Sequence, residues 1–427
     1  MQLLKESNIN GTERNERGQS LLYVFCQRNY IEGIKILLSN PQIDVNCGNE
    51  DGETPLNVAC HEGNVEAGVL LVNDERVQIN KANSEGETPL FKACLGNHSL
   101  IVQILTLNDF KIDINKETKT GSSPFYISCS YGHIDIVKIF LNNKLTDVNK
   151  PSTNRLTPLA IACKNSHLEV IKLLLNHQRV QVNLLVKGSF TPFYVACLNG
   201  CQDVVKLLLE DKRVDVKKKG EDQKSPFYAA CQEGHAKVVQ LLLEDKRIDI
   251  NERDLSGATP LYVACQKGRV DIVKILLDDE RIAVNRASKD GATPLFVSCN
   301  QGNLEIVKWL LFSGHDISLT TKWKPQNRTA LQQAKFNTKA GKKPWESIEK
   351  VKQRQENCQK VVLLLKRFEK DPVVTKKKLE IELGVLESKA AQIFVLIAAF
   401  SDENFQFSQN KLDVQPPKKI KAMESSI

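Results

Sequence analysis

The chain has 427 residues, of which 41% are hydrophobic and 26% charged, and its formal net charge is +8. This composition supplies a long continuous core, but the longest uncharged apolar stretch, residues 390–400, falls far short of the roughly 20 residues that span a bilayer. The first residues also lack the apolar run of a signal peptide. We therefore expect a soluble intracellular protein without a transmembrane segment, in a reducing compartment: the cytoplasm, with the nucleus as an alternative.

The polar N-terminal segment, residues 1–17, is followed by a cysteine that recurs every 34 or 35 residues. The recurring positions are Cys26, Cys60, Cys94, Cys129, Cys163, Cys197, Cys231, Cys265 and Cys299. A period of roughly 20 to 50 residues is typical of a stacked array in which neighbouring units complete one another's core. The sequence thus predicts nine repeats over residues 18–321.

The text of one repeat shows what the unit contains. Thr259-Pro260 opens a helix, because threonine is a good N-cap and proline at the first helical position loses no hydrogen bond. Apolar residues then recur at spacings of three and four, as in Ile272, Val273 and Leu276, which indicates a second helix with one buried stripe. A charged stretch and a hairpin follow. The predicted fold class is an all-α solenoid with a helix-turn-helix and a β-hairpin loop in each repeat.

A degenerate tenth repeat is predicted over residues 322–368. Its first helix opens near Arg328, and its second helix is expected from Cys358 to Phe368. An insertion of about 18 residues, rich in Lys, Gly and Gln, separates the two and is expected to be an exposed loop or a helical extension.

A C-terminal helical cap is predicted over residues 369–407, followed by a disordered basic tail over residues 408–427. Within the cap, residues 375–386 and 387–400 are expected to form two helices that cover the last repeat. The alternative is that the second of these helices docks to another protein.

Short motifs recur at fixed positions in the repeats. They are Thr-Pro-Leu at Thr54, Thr88, Thr157, Thr259 and Thr293, Thr191-Pro192-Phe193, Ser-Pro at Ser123 and Ser225, and Gly-His at Gly132 and Gly234. With these motifs the repeat resembles the ankyrin repeat, from about Gly18 to Phe368. Two departures from that pattern are a period about one residue longer and a Cys in place of the second Ala of an Ala-Ala pair. The resemblance implies about ten stacked repeats and a non-catalytic binding scaffold.

The recurring cysteines are interpreted as packing residues, since each lies on a helix between two neighbours and a thiol is a small apolar filler. Equivalent positions on adjacent packed helices lie roughly 8–10 Å apart, too far for a disulfide, whose Cα atoms are usually closer than about 7 Å. We expect the row to be reduced and buried, with no metal bound.

Catalysis finds no support in the sequence. There is no phosphate-binding Gly-x-x-x-x-Gly-Lys, no Gly-x-Ser-x-Gly and no His-Glu-x-x-His. His98, His133, His167 and His235 share one column before the second helix, where turn hydrogen bonding is expected. No catalytic residue, metal ligand or cofactor is predicted.

A column of aromatic residues stands two positions after the proline of most repeats. One interpretation is that each ring packs within its repeat and seals the gap to the next. The other is a partly exposed stripe along a concave groove, whose phenol groups serve as interface anchors. The candidate protein-binding residues in this column are Tyr126, Tyr194, Tyr228, Tyr262 and Phe296.

The hairpin tips provide the other candidate surface. The apolar tip with Leu184 and Leu185 precedes a basic tip with Lys217, Lys218 and Lys219. Differences between tips in a regular frame either carry specificity or reflect drift in exposed loops, and the sequence leaves both open.

The favoured function is a scaffold that binds a protein partner through the groove and the tips, and we expect it to act as a monomer. The alternative is nucleic-acid or anionic-surface binding through the C-terminal region, since residues 322–427 carry 22 Lys and Arg against 12 Asp and Glu. Nucleic acid is the less favoured partner, because no zinc-finger spacing or RNA-binding signature accompanies the charge.

Overall fold

The computed structural model describes residues 13–107, 111–186, 190–220, 223–342 and 346–385, and the chain forms 21 helices within these ranges. The first twenty are ten consecutive pairs, one pair per repeat, and α21 follows the last pair. The pairs are α1 Leu21–Gln27 and α2 Ile31–Leu38; α3 Pro55–Glu62 and α4 Val65–Val72; α5 Pro89–Leu95 and α6 Ser99–Leu107; α7 Pro124–Tyr131 and α8 Ile134–Asn142; α9 Pro158–Lys164 and α10 Leu168–Leu175; α11 Pro192–Asn199 and α12 Gln202–Glu210; α13 Pro226–Glu233 and α14 Ala236–Glu244; α15 Pro260–Lys267 and α16 Val270–Leu277; α17 Pro294–Gln301 and α18 Leu304–Phe312; α19 Ala330–Asn337 and α20 Ile348–Lys370. The last helix, α21, is Pro372–Glu382.

The start of every first helix agrees with the sequence. In all ten, the hydroxyl of a Ser or Thr N-cap accepts a hydrogen bond from the backbone N–H three residues on, as Thr259 does from Tyr262 at 3.2 Å. Six of these helices end at a left-handed glycine. At Gly132 (φ +75°) a Cβ would also lie 2.6 Å from His167 Nδ1, so both the backbone and the next repeat require glycine.

One continuous core runs through the array, from Leu22 to Leu379. The nine recurring cysteines are all 0% exposed, and none of the twelve cysteines forms a disulfide. Burial raises the pKa of Cys94 to about 12, although Ser128 of the next repeat lies beside this thiol and opposes the shift. The prediction of a buried row of free thiols is confirmed.

The segment that precedes each first helix, here called a finger, is a loop built from turns, as the predicted hairpin loop of each repeat requires, and the described fingers hold almost no strand. The described residues contain just two isolated bridges, Arg14 with Ser20 and Trp323 with Arg328. Neighbouring finger tips share a backbone hydrogen bond, such as Lys289 N–H to Ser256 O at 2.9 Å. One such bond at a tip is too little for a ladder of paired strands.

Asparagine side chains join consecutive fingers. The Asn149 amide donates to Arg179 O at 2.8 Å and accepts from Gln181 N–H at 2.8 Å. The equivalent residue of the finger before α13 is Lys217, which cannot make both bonds. The same pair of bonds is made by Asn46, Asn80, Asn115, Asn183, Asn251 and Asn285.

The charged stretch after many second helices bonds to the preceding repeat through an arginine side chain. Arg247 donates to Leu209 O at 3.1 Å, at the end of α12, and pairs with Asp245 at 2.6 Å. Arginine here satisfies an orphan helix carbonyl and favours the negative end of the helix dipole. Arg76, Arg213 and Arg281 make the same contacts, each with the aspartate two residues before it.

The insertion in the tenth repeat is part loop and part helix. The second helix of this repeat, α20, begins at Ile348 rather than near Cys358 and runs for 23 residues, while the described residues between α19 and α20 are turn and loop. Arg354 is buried against the residues before this helix, where it pairs with Glu346 at 2.9 Å and donates to Gly341 O at 3.0 Å. Both of the predicted forms, a loop and a helical extension, are therefore present.

The predicted C-terminal cap lies partly in the described residues. Helix α21 packs against α18 and α20. It begins at Pro372, earlier than the predicted 375, because the Asp371 side chain caps it by accepting from Val374 N–H at 2.9 Å. The predicted helix over residues 387–400 and the tail over 408–427 lie outside the described residues, as do residues 1–12.

Candidate protein-binding groove

The aromatic column is mostly buried. Tyr126, Tyr194, Tyr228 and Phe296 are between 3% and 6% exposed, and Tyr262 is half-buried. The expectation of a partly exposed stripe is therefore wrong for these four residues. Their rings pack inside the array, which agrees with the interpretation that each ring seals the gap to a neighbouring repeat. The binding role of the column stays a prediction.

The fingers supply the cover that buries these rings. The Tyr228 hydroxyl donates to Asp254 of the following finger at 3.1 Å, and Phe296 packs against Trp323 of the following finger with ring centroids 5.5 Å apart. Tyr194 is covered by its own finger, where Phe190 stacks on it at 4.4 Å. Burial, together with the charge of Asp254, raises the pKa of Tyr228 well above its usual value, so this phenol stays protonated.

A depression of about 550 Å³ lies between the first helices and the fingers of repeats seven to nine. Tyr228 and Tyr262 form part of its wall, so the structure brings these two predicted residues together. The residues around them that the sequence did not single out as a site include Lys224, Gln232, Asp254, Gln266, Lys267 and Lys289. The register of the period could have found Gln232 and Gln266, because each directly follows the recurring cysteine.

The acidic residues of this depression are bonded to its own walls. Asp254 accepts from Tyr228 and from Ser256 at 2.7 Å, and Asp290 accepts from Trp323 Nε1 at 2.7 Å. Burial opposes ionisation of Asp290, but the hydrogen bonds from Ser288 and Trp323 outweigh it and lower its pKa. Lys267 and Lys289 are exposed at the edge of this depression. The groove therefore presents ammonium groups to a ligand, while its carboxylates already accept hydrogen bonds from the protein.

The predicted tip residues differ in how far they are available. Leu184 and Leu185 are half-buried, and Lys217 is exposed. Lys218 donates to Asn183 O at 3.0 Å, and Lys219 pairs with Glu252 at 2.8 Å. Two of the three lysines therefore hold neighbouring fingers together, which leaves Lys217 and the apolar tip as the accessible part of the predicted patch.

The histidine column bonds between repeats rather than within its own turn. His98, His167 and His235 each contact a carbonyl at the end of the preceding first helix at 2.8–2.9 Å. Within the described residues, no three His, Cys, Asp or Glu side chains are grouped as a metal site. Likewise, no helix in the described ranges has the length and apolar composition needed to cross a bilayer.

Comparison with known proteins identifies the family to which these repeats belong. The family model "Ankyrin repeats (3 copies)" matches in overlapping segments: residues 1–83, 22–118, 69–152, 110–185, 144–220, 178–254, 211–288 and 227–321. Since these segments cover most of the chain and the helix pairs agree with them, the chain belongs to the ankyrin repeat family. No match was found among curated proteins. Ankyrin repeats are generally protein–protein interaction modules, and the family is typically non-enzymatic.

Proposed function

We propose that this protein is a non-catalytic scaffold that binds a segment of a partner protein in the groove of repeats seven to nine. The observation that carries the proposal is the depression walled by Tyr228 and Tyr262. Concave surfaces with aromatic walls and a few polar groups are the usual form of a binding site. The accessible finger residues Leu184 and Leu185 of repeat six and Lys217 of repeat seven extend the proposed surface.

The groove is built before any partner binds. The Asn251 amide fixes one finger to the next, and Tyr228 fixes its ring to Asp254, so little ordering is needed on association. Binding that orders few new groups keeps more of the contact energy as affinity. We therefore expect largely rigid-body docking.

Charge reversal on the rim tests the proposal. The double variant Lys267→Glu and Lys289→Glu changes two exposed residues of the groove, and we expect it to lose the proteins that the wild-type chain captures from native lysate. A matched control, Lys237→Glu and Lys246→Glu, reverses two exposed lysines of repeat seven away from the groove lining. Equal capture by both double variants would contradict the groove.

Nuclease treatment and salt separate this proposal from the alternative. A nucleic-acid or anionic-surface binder that works through residues 322–427 would lose binding steeply with salt, and a nucleic-acid binder would lose it on nuclease treatment as well. In that case the groove variants would behave as the wild type does. A protein partner held in the groove beside Tyr262 would remain bound after nuclease treatment.

A further inference from the structure

The last helix pair presents an apolar face that no further repeat covers in the part of the chain that the structure describes. Lys335 follows its N-cap Thr329 by six residues, as Cys299 follows Thr293, yet Lys335 is exposed whereas Cys299 is 0% exposed. Beside it, Phe336 is 50% and Leu363 57% exposed. We call this surface, made of Lys335, Phe336, Lys339, Val362, Leu363 and Lys366, the end face.

The charge of the end face restricts what fits it. A depression of about 590 Å³ on this surface has an apolar floor with the three lysines around it, and no acidic residue among those described lines it. Arg328 adds a fourth cation over the Phe336 ring, 4.0 Å from its centroid. An occupant that matches this face combines a run of apolar side chains with negative charge.

The chain itself contains such a segment. The described residues end at Val385, and 42 residues follow. Among these, residues 390–400 are uncharged and almost entirely apolar, and the acidic pair Asp402 and Glu403 follows after Ser401.

Helix α21 packs against α18 and α20, and its last residue, Glu382, pairs with Lys308 of α18 at 2.6 Å. The segment starts eight residues further on, so it is tethered near repeats nine and ten and its effective concentration at the end face is high.

We propose that the end face is an intramolecular docking site for residues 390–403. The apolar run covers Phe336, Val362 and Leu363, while Asp402 and Glu403 approach the lysines. An uncovered array end is also a surface on which a second array can stack in a non-closing manner. Docking of the chain's own segment therefore stops the array from growing by head-to-tail association.

Photo-cross-linking in the full-length chain tests this docking. We replace Leu363 by p-benzoylphenylalanine, irradiate, digest and identify the linked peptides by mass spectrometry. The expected product is an intramolecular link to residues 390–403. The matched control carries the same group at Leu255, which is also 57% exposed but lies in the finger of repeat eight, and it should give no such link. Links between two molecules only, or none to the segment, would overturn the proposal.

Charge reversal in the segment gives a second readout. Asp402→Lys with Glu403→Lys should lower the yield of the intramolecular link at least about threefold at low salt, since two opposite-charge contacts become like-charge contacts. The control Asp413→Lys with Glu424→Lys reverses two acidic residues beyond the segment and should leave the yield unchanged. An unchanged yield in the first variant counts against the docking, and equal losses in both variants would reduce it to non-specific attraction.

Discussion

The recurring cysteine shows how a single residue position is shaped by its neighbours. Each of the nine thiols is fully enclosed, and burial raises the pKa of every one of them, that of Cys265 to about 12. Ser298 of the following repeat lies beside Cys265, as Ser128 lies beside Cys94. A buried protonated thiol is a poor nucleophile, so these residues are packing groups.

Thiol reactivity should distinguish Cys201 from the other eleven cysteines. All twelve lie in the described part of the chain, and Cys201 alone among them is half-buried while the rest are buried. We expect a thiol reagent to modify about one thiol of the folded protein and all twelve after denaturation. Titration with a chromogenic disulfide measures both numbers.

The control for this experiment is Cys201→Ser, which should remove the fast reaction and leave the count after denaturation at eleven. Rapid modification of several thiols in the folded wild-type protein would show that the repeats are not stacked as described. The same result in the variant as in the wild type would exclude Cys201 as the reactive group.

Residue exposure was the part of the candidate site that sequence could not give. The column holding Tyr194 and Tyr228 is plain from the period, but its burial depends on Phe190 and Asp254, which come from fingers. Asp254 follows Tyr228 by 26 residues, and only the stacking of repeats brings them together. The spacing of a recurring residue predicts which face of the array its copies share, but it does not predict which other residues cover that face.

At the level of elements, the first helices and the loops between repeats were predictable, whereas the contacts that hold the fingers were not. Thr-Pro or Ser-Pro marks the start of eight first helices because cap and proline act locally. The fingers lack strands because their contacts are made by side chains such as Asn149 and Arg247 to backbone groups of other repeats. The recurring Asp-x-Arg and the recurring Asn were visible in the sequence, but their partners were not.

Restoring the interrupted asparagine column should stabilise the array. Lys217→Asn would allow the finger before α13 to bond the next finger, as Asn183 and Asn251 do, and we expect about 1 kcal/mol of added free energy of unfolding. Urea titration followed by circular dichroism measures the change.

The reverse substitution, Asn251→Lys, is the matched control. It removes two hydrogen bonds to the finger before α17 and should lower the free energy of unfolding by about 1 to 3 kcal/mol. If both substitutions lower stability, Lys217 itself contributes a contact that outweighs the missing amide.

At the level of the whole molecule, each helix contacts helices of its own and adjacent repeats. Stability in such an array is close to a sum of repeat and interface contributions, and unfolding can proceed in parts. The groove of repeats seven to nine therefore depends on local packing and on the hydrogen bonds between its own fingers, rather than on a central core.

A cavity in repeat seven should divide the unfolding of the array. Phe227 is 1% exposed, and Phe227→Ala should lower the free energy of unfolding by about 3 to 5 kcal/mol. Because coupling between the two flanks passes through this repeat, we expect the urea transition to broaden or to split into two steps. Hydrogen exchange should accelerate most in α13 and α14.

The exposed Leu255 provides the comparison for this variant, since Leu255→Ala removes an apolar side chain of similar kind without opening a cavity. It should leave the urea transition close to that of the wild type. A single sharp transition with an unchanged midpoint in Phe227→Ala would contradict the neighbour-only description of the array.

The hydrogen bonds between repeats have a direction, and this direction determines which insertions and deletions of chain keep them intact. Asn149 reaches forward to the next finger and Arg247 reaches back to the previous helix, so each repeat carries half of a junction at either side. Deleting one full period would bring equivalent donors and acceptors of the flanking repeats together again. Deleting half a period would instead place each donor at the new junction opposite a group that is not its partner. Duplication and loss of whole units are thus tolerated steps, and the extra residues of the tenth repeat form the loop before α20 and the first turns of that helix, inside a unit rather than across a junction.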